Sequence, residues 1–220
     1  MKQISYPRNY IVWDLETSGL DPKADLILEF AAIEYKDGVE FKRDEFLINH
    51  PGFEVPEKIT QITGITTEMC RNDGLPFEMA LQMVYEILSR GLPHVTHNGL
   101  RFDVPFVLTA LGRGGLPIGK HLDGLTGGEW SELEHMMYKQ MMYKQMIDTA
   151  VLFKAGKLNM PRRYNESFSE WGNRVMETKA FGLKYNVGVC CDELNIPITT
   201  QHRALGDVLL TNEIYKKLTV

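Results

Sequence analysis

Along residues 10–16, YIVWDLE, hydrophobic and acidic positions alternate. Successive side chains of a strand point to opposite faces, so Ile11, Trp13 and Leu15 take one side, and Val12, Asp14 and Glu16 the other. The turn residues Ser18, Gly19, Asp21 and Pro22 end the run. Residues 26–35 (LILEFAAIEY) and Val39–Asn49 flank KDG and predict a hairpin. Residues 56–66 open with Pro56 and predict a short helix ending near Gly64. Between Pro76 and Gly91 the positions Met79, Leu81, Met83, Val84, Ile87 and Leu88 recur at helical spacing, with Gly91 as the stop. LPHVTHNG predicts another short strand, FDVPFVLTALGRGG the start of a helix, and HRALGDVLLTNEIYKKL a last helix with an N-cap at Thr199 or Thr200. Three strands in series, then helices alternating with short strands, predict an α/β fold with a mixed central sheet.

Residues 112–128 are glycine-rich and read as a loop. SELE, residues 131–134, is a capping-box pattern leading into the tandem MMYKQMMYKQ, read as an inserted helix. Met136, Met137, Met141, Met142 and Met146 form its stripe. Methionine adapts to irregular surfaces, so this stripe packs on the domain or meets a partner or serves as a lid.

Composition narrows the class. A chain of 220 residues, 44% of them hydrophobic, suits one domain with a sizeable core. Apolar runs are short, and MKQISYPRNY lacks the apolar stretch of a signal peptide, so no membrane partner is expected. Three cysteines without a C-x-x-C argue against a disulfide framework or a thiolate zinc site, and a reducing cytoplasm is the expected location. The net charge of −5 gives no global signature for nucleic acid. Residues 154–184 differ: seven cations against three acids give +4, leaving −9 for the rest of the chain. Tyr164, Phe168, Trp171 and Phe181 lie among those charges. Two readings stand: a grip on a single strand through phosphates and stacked bases, or a helix with a core stripe and a solvated basic face.

Asp14 and Glu16 read either as solvent-facing acids on an edge strand or as oxygen ligands for a hard divalent cation near a strand end. Asp103, in HNGLRFDVPFV, either caps a helix or adds a carboxylate. His202 and Asp207 are five residues apart, about 140° round a helix, so they share a cleft only if His202 stands at the helix mouth.

Together, D-x-E, then F-D, then H-x₄-D in this order resemble the DEDDh family of 3′→5′ exonucleases, also called DnaQ-like. ITGIT at residues 62–66 and DTA at residues 148–150 support the resemblance. It covers residues 9–107 and 145–218, with divergent inserts at 112–144 and 155–182, and treats residues 1–220 as one exonuclease domain. It implies a ribonuclease H-like fold, with flanking helices and inserted helical or loop segments before the last helix, and two Mg²⁺ or Mn²⁺ ions per site.

By that resemblance Asp14 bridges both ions, Glu16 and Asp207 complete the first site, Asp103 supports the second, and His202 is the general base. Paired ions about 3.5–4 Å apart serve such chemistry by activating water and stabilising the leaving oxygen. The backbone of Thr17 and the side chains of Ile65 and Asn98 are expected near the terminal nucleotide. Ile65 reads equally as core and Asn98 as a turn residue. The expected partners are 3′ ends of single-stranded DNA or RNA, and a polymerase or other protein through residues 119–147. A silent nucleic-acid-binding or scaffold module is the competing class.

Overall fold

The computed structural model describes residues 6–113, 146–198 and 202–219. The first strand is β1, Tyr10–Thr17. The predicted hairpin is β2, Ile27–Lys36, and β3, Val39–Asn49, turning through Asp37 and Gly38, both at positive φ. Two short helices follow: α1, Glu57–Thr63, closed by Gly64 in the left-handed region, and α2, Thr67–Asp73, capped by the Thr66 side chain. The chain continues through β4, Leu75–Pro76, α3, Phe77–Leu88, β5, His94–Thr96, and α4, Asp103–Arg113. After residue 145 come β6, Met146–Asp148, α5, Thr149–Lys157, α6, Phe168–Glu177, α7, Val187–Leu194, and α8, Ala204–Thr219.

The strands form one six-stranded sheet in the order β4–β3–β2–β1–β5–β6. β1–β2 and β2–β3 are antiparallel, and β3–β4, β1–β5 and β5–β6 parallel, so the sheet is mixed as expected. β2 is buried throughout except at Lys36, because it lies between two strands with both faces covered.

The alternation in β1 divides the core. Ile11, Trp13 and Leu15 pack with Phe30 against Leu81, Val84 and Leu88 of α3 and Val104, Val107 and Leu111 of α4. Tyr10 and Val12 pack with Ile33 against Val151 of α5, Trp171 and Val175 of α6, and Val208 of α8. Helix α8 is enclosed on a second side, where Leu210 and Ile214 meet Phe153, Cys190 and Cys191. This is an α/β sandwich of the ribonuclease H-like kind.

Several expectations change. Met146 begins β6 and is 1% exposed, so it belongs to the sheet and not to a helical stripe. The remaining stripe methionines, the loop after Arg113, the 119–147 partner segment up to residue 145, and the N-cap at Thr199 or Thr200 lie outside the described residues. The basic-aromatic segment divides: Trp171 is core, with its indole N–H donating to the Met160 carbonyl, whereas Tyr164 and Phe181 are fully exposed. The three cysteines are free thiols and buried. Among the described residues, no helix is long and apolar enough to cross a membrane.

Candidate active site

Asp14 and Glu16 continue the face of Tyr10 and Val12, which is the face that α8 covers. At the end of β1 the register with β2 shifts between Glu16 and Thr17. Such irregularities end pairing and re-aim side chains. Helix α8 brings Asp207 to the same place. One carboxylate oxygen each from Asp14, Glu16 and Asp207 lie within 4.8 Å of one another.

Asp103 enters from the turn after β5. That turn needs its two residues: Asn98 has φ 62°, which asparagine tolerates better than most, and a Cβ on Gly99 would stand 2.4 Å from Thr96 Oγ1. Asp103 is 2% exposed at the first position of α4, where a carboxylate faces the helix's unsatisfied amides. It is not one of the three acids within 4.8 Å, yet its charge acts on Asp14 and Glu16.

His202 stands outside α8, at its mouth, as the five-residue spacing requires. It is exposed with φ 64°, and its backbone N–H donates to Asp207 Oδ2 at 3.2 Å.

The cost of gathering these acids shows in their protonation. Burial, reinforced by Asp103, Asp207, Glu16 and Glu29, raises the Asp14 carboxyl well above the usual range. Burial and the same kind of crowding push Glu16 up to about 8, against the opposing pull of Arg203. Asp103 is pushed up to about 7, mainly by burial, although backbone N–H groups favour its ionised form. Asp207 is raised by burial, while His202 holds it down. Oδ1 of Asp103 and Oδ1 of Asp207 are buried with no hydrogen-bond partner in the protein. Oxygen-only donors, excess negative charge and two orphaned acceptors fit hard divalent cations such as Mg²⁺ or Mn²⁺. A buried carboxylate without such a partner is otherwise costly.

Two supports escaped the sequence reading. Glu29 is fully buried and sits opposite Glu16 in the β1–β2 ladder. It accepts from Arg203 Nε at 3.0 and 3.1 Å, from Arg203 Nη2, and from the Ala204 backbone N–H at 2.9 Å. It therefore pins the residues between His202 and α8. The signal was an acid inside an otherwise apolar stretch of strand, which demands a partner. The second support is Asp148. Its Oδ1 accepts from the N–H groups of Asn98 and Ala150, and its Oδ2 from that of Leu100, fixing the turn that carries Asp103. In the sequence Asp148 stands out only as part of DTA.

The expected nucleotide contacts fare differently. Ile65 is fully buried among Leu28, Leu47, Val55 and Cys70, so its side chain is core and is not presented to a terminal nucleotide. Gly64 turns the chain at the end of α1 and drops Ile65 inward. Asn98 is a turn residue whose backbone is held by Asp148. Thr17 is buried at the end of β1, and its hydroxyl donates to the Gly19 carbonyl at 2.7 Å.

Parts of the chain are similar to known proteins. The family RNase_T, described as an exonuclease, matches residues 11–117. Residues 11–117 thus match an RNase T/DnaQ-like exonuclease domain. Among its relatives, the PolC-type DNA polymerase III of Mycoplasma pneumoniae is 36% identical over 100 residues, covering 46% of this chain and 7% of that protein. The 3′–5′ exonuclease DinG of Bacillus subtilis is 35% identical over 112 residues, covering 50% of this chain and 12% of DinG. The chain thus corresponds to a small part of each. The fold extends the likeness: E. coli exonuclease I, solved in complex with a dT13 oligonucleotide, superposes with a TM-score of 0.65 at 17% identity, over 96% of this chain and 40% of that one. His202 and Asp207 lie beyond the segment matched by the family, and folding returns them to it.

Proposed function

We propose that the chain hydrolyses the 3′-terminal phosphodiester of single-stranded nucleic acid, DNA in preference to RNA, and releases nucleoside 5′-monophosphates. The observation that carries this reading is the meeting of Asp14, Glu16 and Asp207 within 4.8 Å, beside Asp103 and at the foot of His202. DNA is favoured because the PolC-type relatives are DNA polymerases and exonuclease I was solved with dT13 and dA16.

Asp14, Glu16 and Asp207 would hold one divalent ion, and Asp14 and Asp103 a second. Bound there, such ions supply positive charge that offsets the repulsion between an anionic phosphodiester and an anionic nucleophile, and they acidify water. His202 takes a proton from the attacking water, the task imidazoles most often perform in general base catalysis. The water oxygen bonds to phosphorus, the P–O3′ bond breaks, and the departing oxygen takes up a proton to become the new 3′-hydroxyl. The Glu29–Arg203–Ala204 contacts hold His202 in register with Asp207, and Asp148 holds the Asp103 turn. Three buried free thiols agree with a reducing compartment, the cytoplasm.

The test is a time course of 5′-labelled DNA and RNA strands with Mg²⁺ or Mn²⁺. The expected result is a ladder of shortening products, faster for DNA, and no ladder with Asp14→Ala at unchanged fold. Faster RNA shortening would reverse the sugar preference. Binding without cleavage of either strand would refute the enzyme and leave a silent binding module.

A further inference from the structure

The segment after α6 forms a surface that the chemistry above does not use. Its tip is a tight turn over residues 180–183: the Leu183 N–H donates to the Ala180 carbonyl at 3.3 Å, and Gly182 has φ 75°. A positive φ at the third position is the mark of a type II turn, where glycine is favoured. Phe181 occupies the second position and projects wholly into solvent. Lys179 and Lys184 flank it, both exposed, and residues 178–185 contain no acid.

Both feet of this loop are fixed. Buried Lys154 donates to the Met176 carbonyl at 3.0 Å on one side, and its ammonium lies 5.2 Å from the Tyr185 ring centroid on the other. The loop is also tied to the turn that carries Asp103. His97 Nε2 is 2.7 Å from the Tyr185 carbonyl oxygen, and Gly172 of α6 lies so close to Leu100 that a Cβ there would approach Leu100 Cδ1 at 3.1 Å. The next residue, Arg101, is exposed. Phe181 is four positions from Tyr185, a reach of at most about 14 Å. An exposed aromatic and three cations therefore belong to segments tied to the turn that carries Asp103.

We propose that Phe181, with Lys179, Lys184 and Arg101, grips the single-stranded substrate a few nucleotides upstream of the 3′ end: the ring stacks on a base and the cations meet phosphates. The assignment rests on the exonuclease reading for the polarity of the strand. The aromatic face accepts any base, so the grip is independent of sequence. The cations lie beside a site whose own charge is negative, so the strand's internal phosphates have a favourable path while the terminal one approaches the carboxylates.

The test separates grip from chemistry. Binding of a fluorescein-labelled oligothymidylate is followed by anisotropy in EDTA, where nothing is cut. Phe181→Ala is expected to weaken binding roughly 5- to 100-fold, the range for loss of one stacked base, and Phe181→Trp to retain it. The double variant Lys179→Gln/Lys184→Gln should make the slope of log affinity against log salt shallower by about 1.4, from about 0.7 per phosphate contact on a single strand. With Mg²⁺, Phe181→Ala should raise KM for the long strand by a similar factor. Wild-type affinity and salt slope in all variants would overturn the proposal, even if the wild type shortens DNA. A chain that shortens no strand yet loses affinity on Phe181→Ala would sink the exonuclease reading and keep the grip.

Discussion

Replacing Arg203 by methionine removes the cation from a carboxylate with no solvent to turn to. Glu29 is fully buried and takes three of its four contacts from the Arg203 guanidinium, leaving only the Ala204 N–H. Breaking a buried pair in this way costs about 3–5 kcal/mol. Arg203 is itself part-exposed and the Ala204 N–H remains, so Arg203→Met should lose the lower part of that range, about 3–4 kcal/mol. In a chain of this size each kcal/mol moves Tm by about 2–4 °C, giving a drop of about 6–16 °C at neutral pH. Glu29→Leu/Arg203→Met removes both charges, and such exchanges are often near neutral, so it should melt within a few degrees of wild type. Both variants should cleave poorly, because His202 loses its anchored neighbour. Thermal melts over pH 5–8 beside the strand-shortening assay decide the matter. If Arg203→Met melts with wild type, or the double variant loses more than the single one, the buried pair does not hold this corner.

His202→Ala should lower kcat by about 10²–10⁴ and leave metal affinity nearly intact, measured by turnover and by metal titration; equal losses in both would contradict a general base. Asp148→Ala strands three N–H groups and should cost about 3–5 kcal/mol in denaturant unfolding, with cleavage falling through misplacement of Asp103. In EDTA, Glu16 at about 8 and Asp103 at about 7 bind protons in the folded state that the unfolded chain releases near pH 4. Their contribution to stability therefore falls as the pH rises from about 4 to 8. Buried His94 and His97, whose pKa values are lowered by burial, act the other way below about 6.5, so the comparison is with Glu16→Gln, which should lose less stability than wild type between pH 6 and 8. Mg²⁺ or Mn²⁺ should raise the wild-type Tm more at pH 8 than at pH 6, and an equal rise would refute the electrostatic account.

The parts of the fold written in short-range alternation were readable. YIVWDLE put Asp14 and Glu16 on one face because strand geometry leaves no other choice, and KDG between two apolar runs made the hairpin. The His202–Asp207 spacing excluded a common helical face, and α8 begins at Ala204, leaving His202 outside it. Helix α2 was not foreseen, because seven residues with only Cys70 buried carry no periodicity. Ile65 illustrates a different limit: ITGIT looks the same whether its second isoleucine faces a cleft or a core, and only the turn at Gly64 decides. Glu29 needed a partner 174 residues away in sequence, which no local pattern announces. The aromatic residues of the basic segment could not be sorted by composition, since Trp171 and Phe181 differ only in what the helices leave uncovered.

Strand β1 is laddered to β2 along its length and to β5 at Ile11 and Val12, so Asp14 and Glu16 ride on a backbone held by the sheet. Asp207 is carried by a helix mouth tied to β2 through Glu29. When cations are stripped away, the mutual repulsion will be released at that mouth, and amide exchange there should quicken while β1 stays protected. The rigid acids act as a fixed template and the helix mouth as the moving jaw, so cation loading would also tighten the loop that carries His202.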